Sequence, residues 1–156
     1  MVEFTPKGHF STHYTFRTAG HELVEVRSSA WRERAEFTLQ SVRYRMYREK
    51  GWRGSFMIER QDGQLFASAT KPSAFKDRFE LDLGGRTFVM QRKSIWKSEF
   101  AIEEGGTQVG SVRQASVFSR RALVDVPADW PVQYQVFVFW LALLMWRRSQ
   151  AAAAGA

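Results

Sequence analysis

Val136–Arg148 reads VFVFWLALLMWRR, the greasiest stretch of the chain, and where it can be buried decides the fold. Its apolar run, Val136 to Trp146, is eleven residues. A helix crossing a bilayer needs about 20, so the run is too short to span one. It is also apolar on every side, whereas a surface helix keeps a polar face. Val136, Phe137, Val138 and Phe139 favour a strand by propensity. Length decides against that: Val132 to Trp146 is fifteen residues without a turn signal, long for a strand and ordinary for a helix. Pro131 fits the first helical position, with Asp129 near the positive end of the dipole and Arg147 and Arg148 at the negative end. Such a helix is about 22 Å long and must be enclosed by the rest of the chain.

The rest of the chain reads as strands. Between Arg53 and Gln114 one unit occurs three times, as SFMIERQDGQLFAS, RFELDLGGRTFVMQ and EFAIEEGGTQVGSV. Phe56, Phe79 and Phe100 open the units and Gly63, Gly85 and Gly106 follow, a period of 21 to 23 residues. Inside each unit apolar residues alternate, which is the strand period. Asp62-Gly63, Gly84-Gly85 and Gly105-Gly106 supply the positive φ of tight hairpin turns. Upstream, Val24 and Val26 share one face of a strand, and Val42, Tyr44 and Met46 lie opposite Arg43 and Arg45. Phe37 and Leu39 are out of phase with Val42 and Tyr44, so a turn or bulge is expected near Gln40 and Ser41. SSAWRERAEF has the start of a short helix at Ser29 but is too brief to decide. Ala122, Val124 and Val126 mark one more strand. A sheet that closes around the apolar helix removes its own edges and fills its interior. The expected fold is therefore mainly β, a closed antiparallel barrel of about ten to twelve strands around a central hydrophobic C-terminal helix.

A chain of 156 residues suits one domain, expected over residues 1–148 with a disordered Ala-rich tail at 149–156. The 44% hydrophobic and 15% aromatic content excludes a disordered chain. The absence of cysteine excludes disulfides, thiolate metal sites, a cysteine nucleophile and palmitoylation. MVEFTPKGHF lacks the charged and apolar regions of a signal peptide, so the expected location is cytoplasmic, with peripheral membrane association as an option. A net charge of +7 favours anionic partners.

The hairpins, then FVMQRKSIWKSEFAIEEGGTQVGSVRQ, then a strand and an all-apolar helix ending in Arg-Arg, resemble the tubby-like superfamily. The likeness is nearest to the LURP-one-related proteins and phospholipid scramblases, and covers most of the chain. It implies a twelve-stranded closed barrel threaded by a hydrophobic helix. Tubby domains bind phosphoinositide head groups through basic side chains on the barrel surface, and scramblases are assigned lipid movement. The acidic calcium-binding segment and lipidated cysteines of the scramblases have no counterpart here. For an anionic head group the candidate residues are Arg92, Lys93 and Lys97, flanking Ile95 and Trp96, and Arg120 and Arg121. The first three combine charge for phosphate with an aromatic suited to a membrane interface. The competing reading is a solvated loop with Trp96 packed inward.

Other motifs favour plainer readings. YRMYREKGWRG interleaves Arg with aromatics, as single-stranded nucleic acid binding would require. Strand alternation explains it, with Tyr44 and Met46 inside and Arg43 and Arg45 outside, and no RNA-binding signature accompanies it, so nucleic acid is not expected. His9 and His13 have ligand spacing only on a helix, and their surroundings read as strand or coil, so no metal site is expected. Glu103 and Glu104 point to opposite faces of a strand and are not a catalytic pair. No nucleophile elbow, P-loop, dinucleotide glycine fingerprint or zinc-protease motif occurs, so no cofactor is nominated and a non-enzymatic role is expected. That role is peripheral binding of anionic phospholipid head groups. The alternatives are a protein-interaction scaffold and scramblase-like lipid handling.

Overall fold

The repeating hairpin units organise the sheet. In a computed structural model, which describes every residue except Phe10, Ala30, Trp52, Arg53, Ile95, Trp96, Ala156 and the side chain of Lys97, they form three consecutive antiparallel pairs. The strands are β1 (Val2–Pro6), β2 (His13–Arg17), β3 (Leu23–Ser28), β4 (Arg34–Leu39), β5 (Val42–Arg48) and β6 (Gly54–Arg60). They continue with β7 (Leu65–Lys71), β8 (Arg78–Leu83), β9 (Arg86–Ser94), β10 (Lys97–Glu104), β11 (Thr107–Gln114) and β12 (Ala122–Asp125). Helix α1 (Val132–Ala154) follows. Each strand pairs antiparallel with the next, and β1 closes the ring on β12 with Val2 opposite Val124 and Phe4 opposite Ala122. The sheet is thus a closed barrel of twelve strands, without a free edge.

Alternation divides the inside from the outside. On β8, Phe79, Leu81 and Leu83 are buried while Arg78, Glu80 and Asp82 are exposed. On β5, Tyr44 and Met46 are buried while Arg43 and Arg45 are exposed. The parity switch before Tyr44 comes from a two-residue turn: Leu39 faces Val42 and Phe37 faces Tyr44 across Gln40 and Ser41. Both turn residues have positive φ, 48° and 65°, like the Gly84-Gly85 and Gly105-Gly106 pairs. That conformation matches the twist of the strands but strains a residue with a Cβ.

The helix fills the interior. Every residue from Val136 to Trp146 is at most 5% exposed, so no face of this segment meets water. It meets strands on different sides of the ring: Phe139 stacks on Phe4 of β1 at 4.1 Å, Trp140 meets Phe56 of β6 at 5.9 Å, and Trp146 meets Phe100 of β10 at 6.4 Å. Burying one large apolar side chain contributes about 1.5–3 kcal/mol, which makes this the main cohesive contact of the fold. Trp140 Nε1 and Trp146 Nε1 are buried with no acceptor among the described residues, a cost accepted for their bulk.

The ends of the helix differ from the sequence expectation. Pro131 is the N-cap rather than the first helical residue, no acidic residue lies in the first turn, and no side chain caps it. Tertiary contacts fix the start instead: Gln133 Nε2 donates to Tyr44 Oη at 2.8 Å, Gln135 Nε2 to the Trp130 carbonyl at 3.1 Å, and Trp130 packs edge-on against Phe88. Arg147 and Arg148 mark where the helix leaves the barrel, not where it ends. It continues through Ser149–Ala154, exposed and helical, where a disordered tail was expected from residue 149. Alanine is the best helix former, which suits that extension. The short helix considered at Ser29 is absent: Ser29 Oγ accepts the Trp31 and Arg32 amides at 3.3 and 3.1 Å, as a cap does, but Arg34 then begins β4.

The two rims of the barrel are therefore distinct. At the start rim lie the helix N-terminus and the β2–β3, β4–β5, β6–β7, β8–β9 and β10–β11 turns; at the exit rim lie the remaining connections and Arg147. Among the described residues no helix is long and apolar enough to cross a membrane.

Two outcomes follow from this packing. Leu141→Asp places an unpaired carboxylate in the core, at a cost above about 4 kcal/mol, enough to abolish folding; the check is loss of the far-ultraviolet circular dichroism and of the monomer peak in gel filtration. Gln40→Asn combined with Ser41→Gly relieves the left-handed strain and raises stability by about 1 kcal/mol, or about 2–4 °C in Tm, read by thermal denaturation.

Candidate functional site at the helix-exit rim

All five candidate cations belong to one end of the molecule. Arg92 and Lys93 end β9, Lys97 begins β10, and Arg120 and Arg121 lie in the β11–β12 connection, all at the exit rim. Their roles there diverge. The Arg92 side chain is only 17% exposed; its Nε lies 3.0 Å from Asp77 Oδ2, its Nη2 donates to Ser149 Oγ at 3.1 Å, and its guanidinium sits over the Phe100 ring. The Nε contact is an ion pair but is not aligned as a hydrogen bond. Arg92 thus ties β9 to the emerging helix. Arg120 donates to the carbonyls of Gly8, His9 and Ser11 and covers the Tyr14 ring, fastening the β1–β2 loop. Lys93 is exposed and makes no ion pair among the described residues. Arg121 is exposed and contacts Glu3 Oε1 and Ser119 Oγ at 3.4 Å each. The Lys97 side chain, Ile95 and Trp96 lie outside the described residues, and with them the inward or outward setting of Trp96.

Residues outside the five head-group candidates complete the rim. Arg147 Nη1 donates to the Ser29 carbonyl at 3.2 Å and Nη2 to Ser28 Oγ at 2.8 Å, while Arg148 pairs with Glu33. Burial lowers the Arg147 pKa, nearby Tyr14 opposes this, and nearby Arg120 adds to it. Lys71, almost fully buried, donates to the carbonyls of Ser73 at 2.7 Å and Ala74 at 3.2 Å. Its pKa is likewise lowered, first by burial. Among the described residues Arg147, Arg120 and Lys71 form no ion pair, so carbonyl dipoles satisfy their hydrogens without cancelling their charge. The signal for these contacts is weak in sequence because partners can lie more than 100 residues apart, as with Arg147 and Ser29, separated by 118.

Two concavities open on this rim. The larger, about 1270 Å³, lies over β3, β4 and β5 and is lined by Arg27, Arg32, Arg34, Arg45, Arg48 and Lys50 together with Glu33, Glu36 and Glu49. Arg27 is spent on Glu36 and Arg48 on Glu33, whereas among the described residues Arg32, Arg34 and Lys50 make no ion pair. The smaller, about 360 Å³, lies between the β1–β2 and β11–β12 loops and holds His9, Phe118, Arg120 and Arg121. His13 Nδ1 lies 3.2 Å from Glu25 Oε1. No cluster of metal-ligating side chains occurs among the described residues.

Charge divides sharply between the rims. Among the described residues the exit-rim connections carry Lys7, Arg32, Lys50, Lys76, Arg120 and Arg121 against Glu33, Glu49 and Asp77. The start-rim connections carry Glu22, Asp62 and Asp129 and no Lys or Arg. Such a distribution makes a positive field at one end of the barrel.

At the groove wall, Arg45 and Tyr47 both bind Glu59, the former at 2.7 Å. Burial pushes the Tyr47 phenol up to about 12, with the hydrogen bond and charge of Glu59 adding to it. The Tyr47 bond, then Arg45, holds the Glu59 carboxyl below its ordinary range. A phenol raised on folding contributes stability below its unfolded value near 10 that is lost as pH climbs towards 12. Glu59→Gln should lower the Tyr47 pKa without returning it to 10, since burial remains. The phenolate absorbance, with Tyr47→Phe as reference, measures it. Comparison of the chain with family models, with curated proteins and with solved structures returns no match.

Proposed function

We propose that this chain is a non-enzymatic, tubby-like barrel that binds anionic phospholipid head groups peripherally, through the cations of its helix-exit rim. The observation that carries the reading is the charge division: six cations in the described exit-rim connections and none in those of the start rim. Guanidinium and ammonium groups make strong, charge-assisted hydrogen bonds to phosphate oxygens. Arg32, Lys50 and Lys93 are exposed and form no ion pair among the described residues, and so have donors to offer. The half-buried Arg147 and Arg120 and the buried Lys71 supply field from behind them. The outward side chains favour docking over insertion: charged Arg43, Arg45, Glu80 and Asp82 face out and apolar residues face in, the reverse of a barrel that spans a membrane.

Each Lys or Arg near an acidic leaflet contributes about 1 kcal/mol of attraction. Arg32→Glu, Lys50→Glu and Lys93→Glu combined should therefore weaken binding to phosphatidylserine vesicles more than about 100-fold at low salt. The start-rim reversal Arg43→Glu should change it less than about twofold, its charge being screened from the membrane. Vesicle co-sedimentation measures both, and a parent protein that at low salt binds neither the vesicles nor inositol trisphosphate, a soluble head group, refutes the reading.

A further inference from the structure

Among the described residues three aromatic side chains stand almost fully in water, Trp31 at 97%, Phe75 at 98% and Phe118 at 98%, and Val117 beside the last is 83% exposed. A single exposed apolar residue needs no explanation. The arrangement of these three does. They occupy the β3–β4, β7–β8 and β11–β12 connections, all at the exit rim. Six connections follow one another around that rim, and these are alternate ones, so the three tips are spread around the ring as the feet of a tripod. The large apolar residues exposed towards the start rim are Met1, Leu23 and Leu65, none of them aromatic.

The loops hold these tips outward by built contacts. Lys71 binds the Ser73 and Ala74 carbonyls and Ser73 Oγ accepts the Phe75 amide, so a buried cation shapes the turn that presents Phe75. Ser29 Oγ accepts the Trp31 amide. Phe118 is bracketed by the Ser119 to Ser116 backbone bond and by Arg120 anchored on the β1–β2 loop. A folded protein partner is a poor match for this surface, since such interfaces have a continuous dry centre depleted of charge. Here a whole connection lies between each pair of tips, and Lys7 and Lys50 occupy two of those intervals. A fluid bilayer receives separated side chains independently, with aromatics at head-group depth and cations on phosphate.

We propose that the exit rim is a membrane-docking face, in which Trp31, Phe75 and Phe118 enter the interfacial layer of an anionic bilayer as three anchors and set the barrel axis upright on it. The proposal rests on the head-group reading above and adds the source of the head group, a bilayer rather than a free phosphate, and the orientation of the bound protein. Apolar burial and charge attraction act together at such surfaces, so the tips provide the part of the affinity that salt does not screen.

The test compares the full chain with Trp31→Ser/Phe75→Ser/Phe118→Ser, whose exposed positions leave Tm unchanged. Co-sedimentation uses vesicles of equimolar phosphatidylcholine and phosphatidylserine at low and high salt, with inositol trisphosphate as the soluble head-group probe. The expected result is a fall of roughly 100-fold in vesicle partitioning for the triple variant, greatest at high salt, with inositol trisphosphate binding unchanged. Brominated acyl chains should also quench part of the tryptophan emission of the parent, and Trp31→Phe, which still binds, should lose that part. If the triple variant partitions like the parent, or the parent binds inositol trisphosphate but no vesicles, the docking face is refuted and the head-group reading stands. If the parent binds neither, both fall. Self-association of the parent that the triple variant abolishes, without vesicle binding, refutes docking in favour of a protein interface.

Discussion

The fold depends on the mutual enclosure of an all-apolar helix and a sheet that has no other core. Val136–Trp146 has no face that tolerates water, and twelve strands with apolar residues on one side need something to cover. Neither part is stable alone: the sheet without the helix is a hollow ring lined by Phe, and the helix without the sheet is an exposed hydrophobic rod. Closure through β1 and β12 matters for this reason as much as for the edges it removes. The phenylalanines that open the three hairpin units, Phe56, Phe79 and Phe100, are fully buried, so the repeat in sequence is a repeat of core contacts around one axis.

A helix that runs through a barrel must leave it, and the exit sets the character of that rim. Past Trp146 the chain passes from a dry interior to water within about one turn. Arg147 and Arg148 make this passage, the first on the carbonyl and hydroxyl of Ser29 and Ser28, the second on Glu33. Arg92 reaches the next residue, Ser149. At the other rim three of the connections are two-residue turns, leaving little loop to carry function. The long connections, with their cations and aromatics, collect around the helix exit. Topology thus gathers at one rim the kind of loop on which a rigid scaffold builds binding surfaces.

Local chemistry was legible in the sequence, and long-range geometry much less so. Period-two alternation and Gly-Gly pairs located the hairpins because strands and turns are set by neighbours. The helix was legible by elimination, too short to span a bilayer and too apolar to lie on a surface. Its start was misjudged by one residue because the contacts that fix it, Tyr44 to Gln133 and Phe88 to Trp130, are tertiary. The candidate cations were chosen one stretch at a time, yet closure of the ring brings Arg92, Lys93, Lys97, Arg120 and Arg121 to one rim. Sequence distance concealed both their convergence and the structural work of Arg92 and Arg120. Trp31, Phe75 and Phe118 carry no signal in sequence, because a lone aromatic in a short connection reads as core until its loop is seen to project.

The treatment of charge at the exit rim separates stability from function. Replacing the carbonyl partners of Arg147, Arg120 and Lys71 by carboxylates would neutralise each cation and ease its burial. Instead backbone dipoles satisfy the hydrogens, and Arg147 and Lys71 keep pKa values lowered by desolvation. A carbonyl oxygen accepts a hydrogen bond but carries no net charge, so the positive potential behind the loops survives. On the barrel wall, by contrast, Arg27, Arg45 and Arg86 are matched by Glu36, Glu59 and Glu104. Uncompensated charge costs folding energy wherever it is placed, and here it is concentrated on the one rim that also projects aromatic side chains into water. That coincidence of two locally unfavourable choices is what a surface built for an external anionic, apolar layer requires.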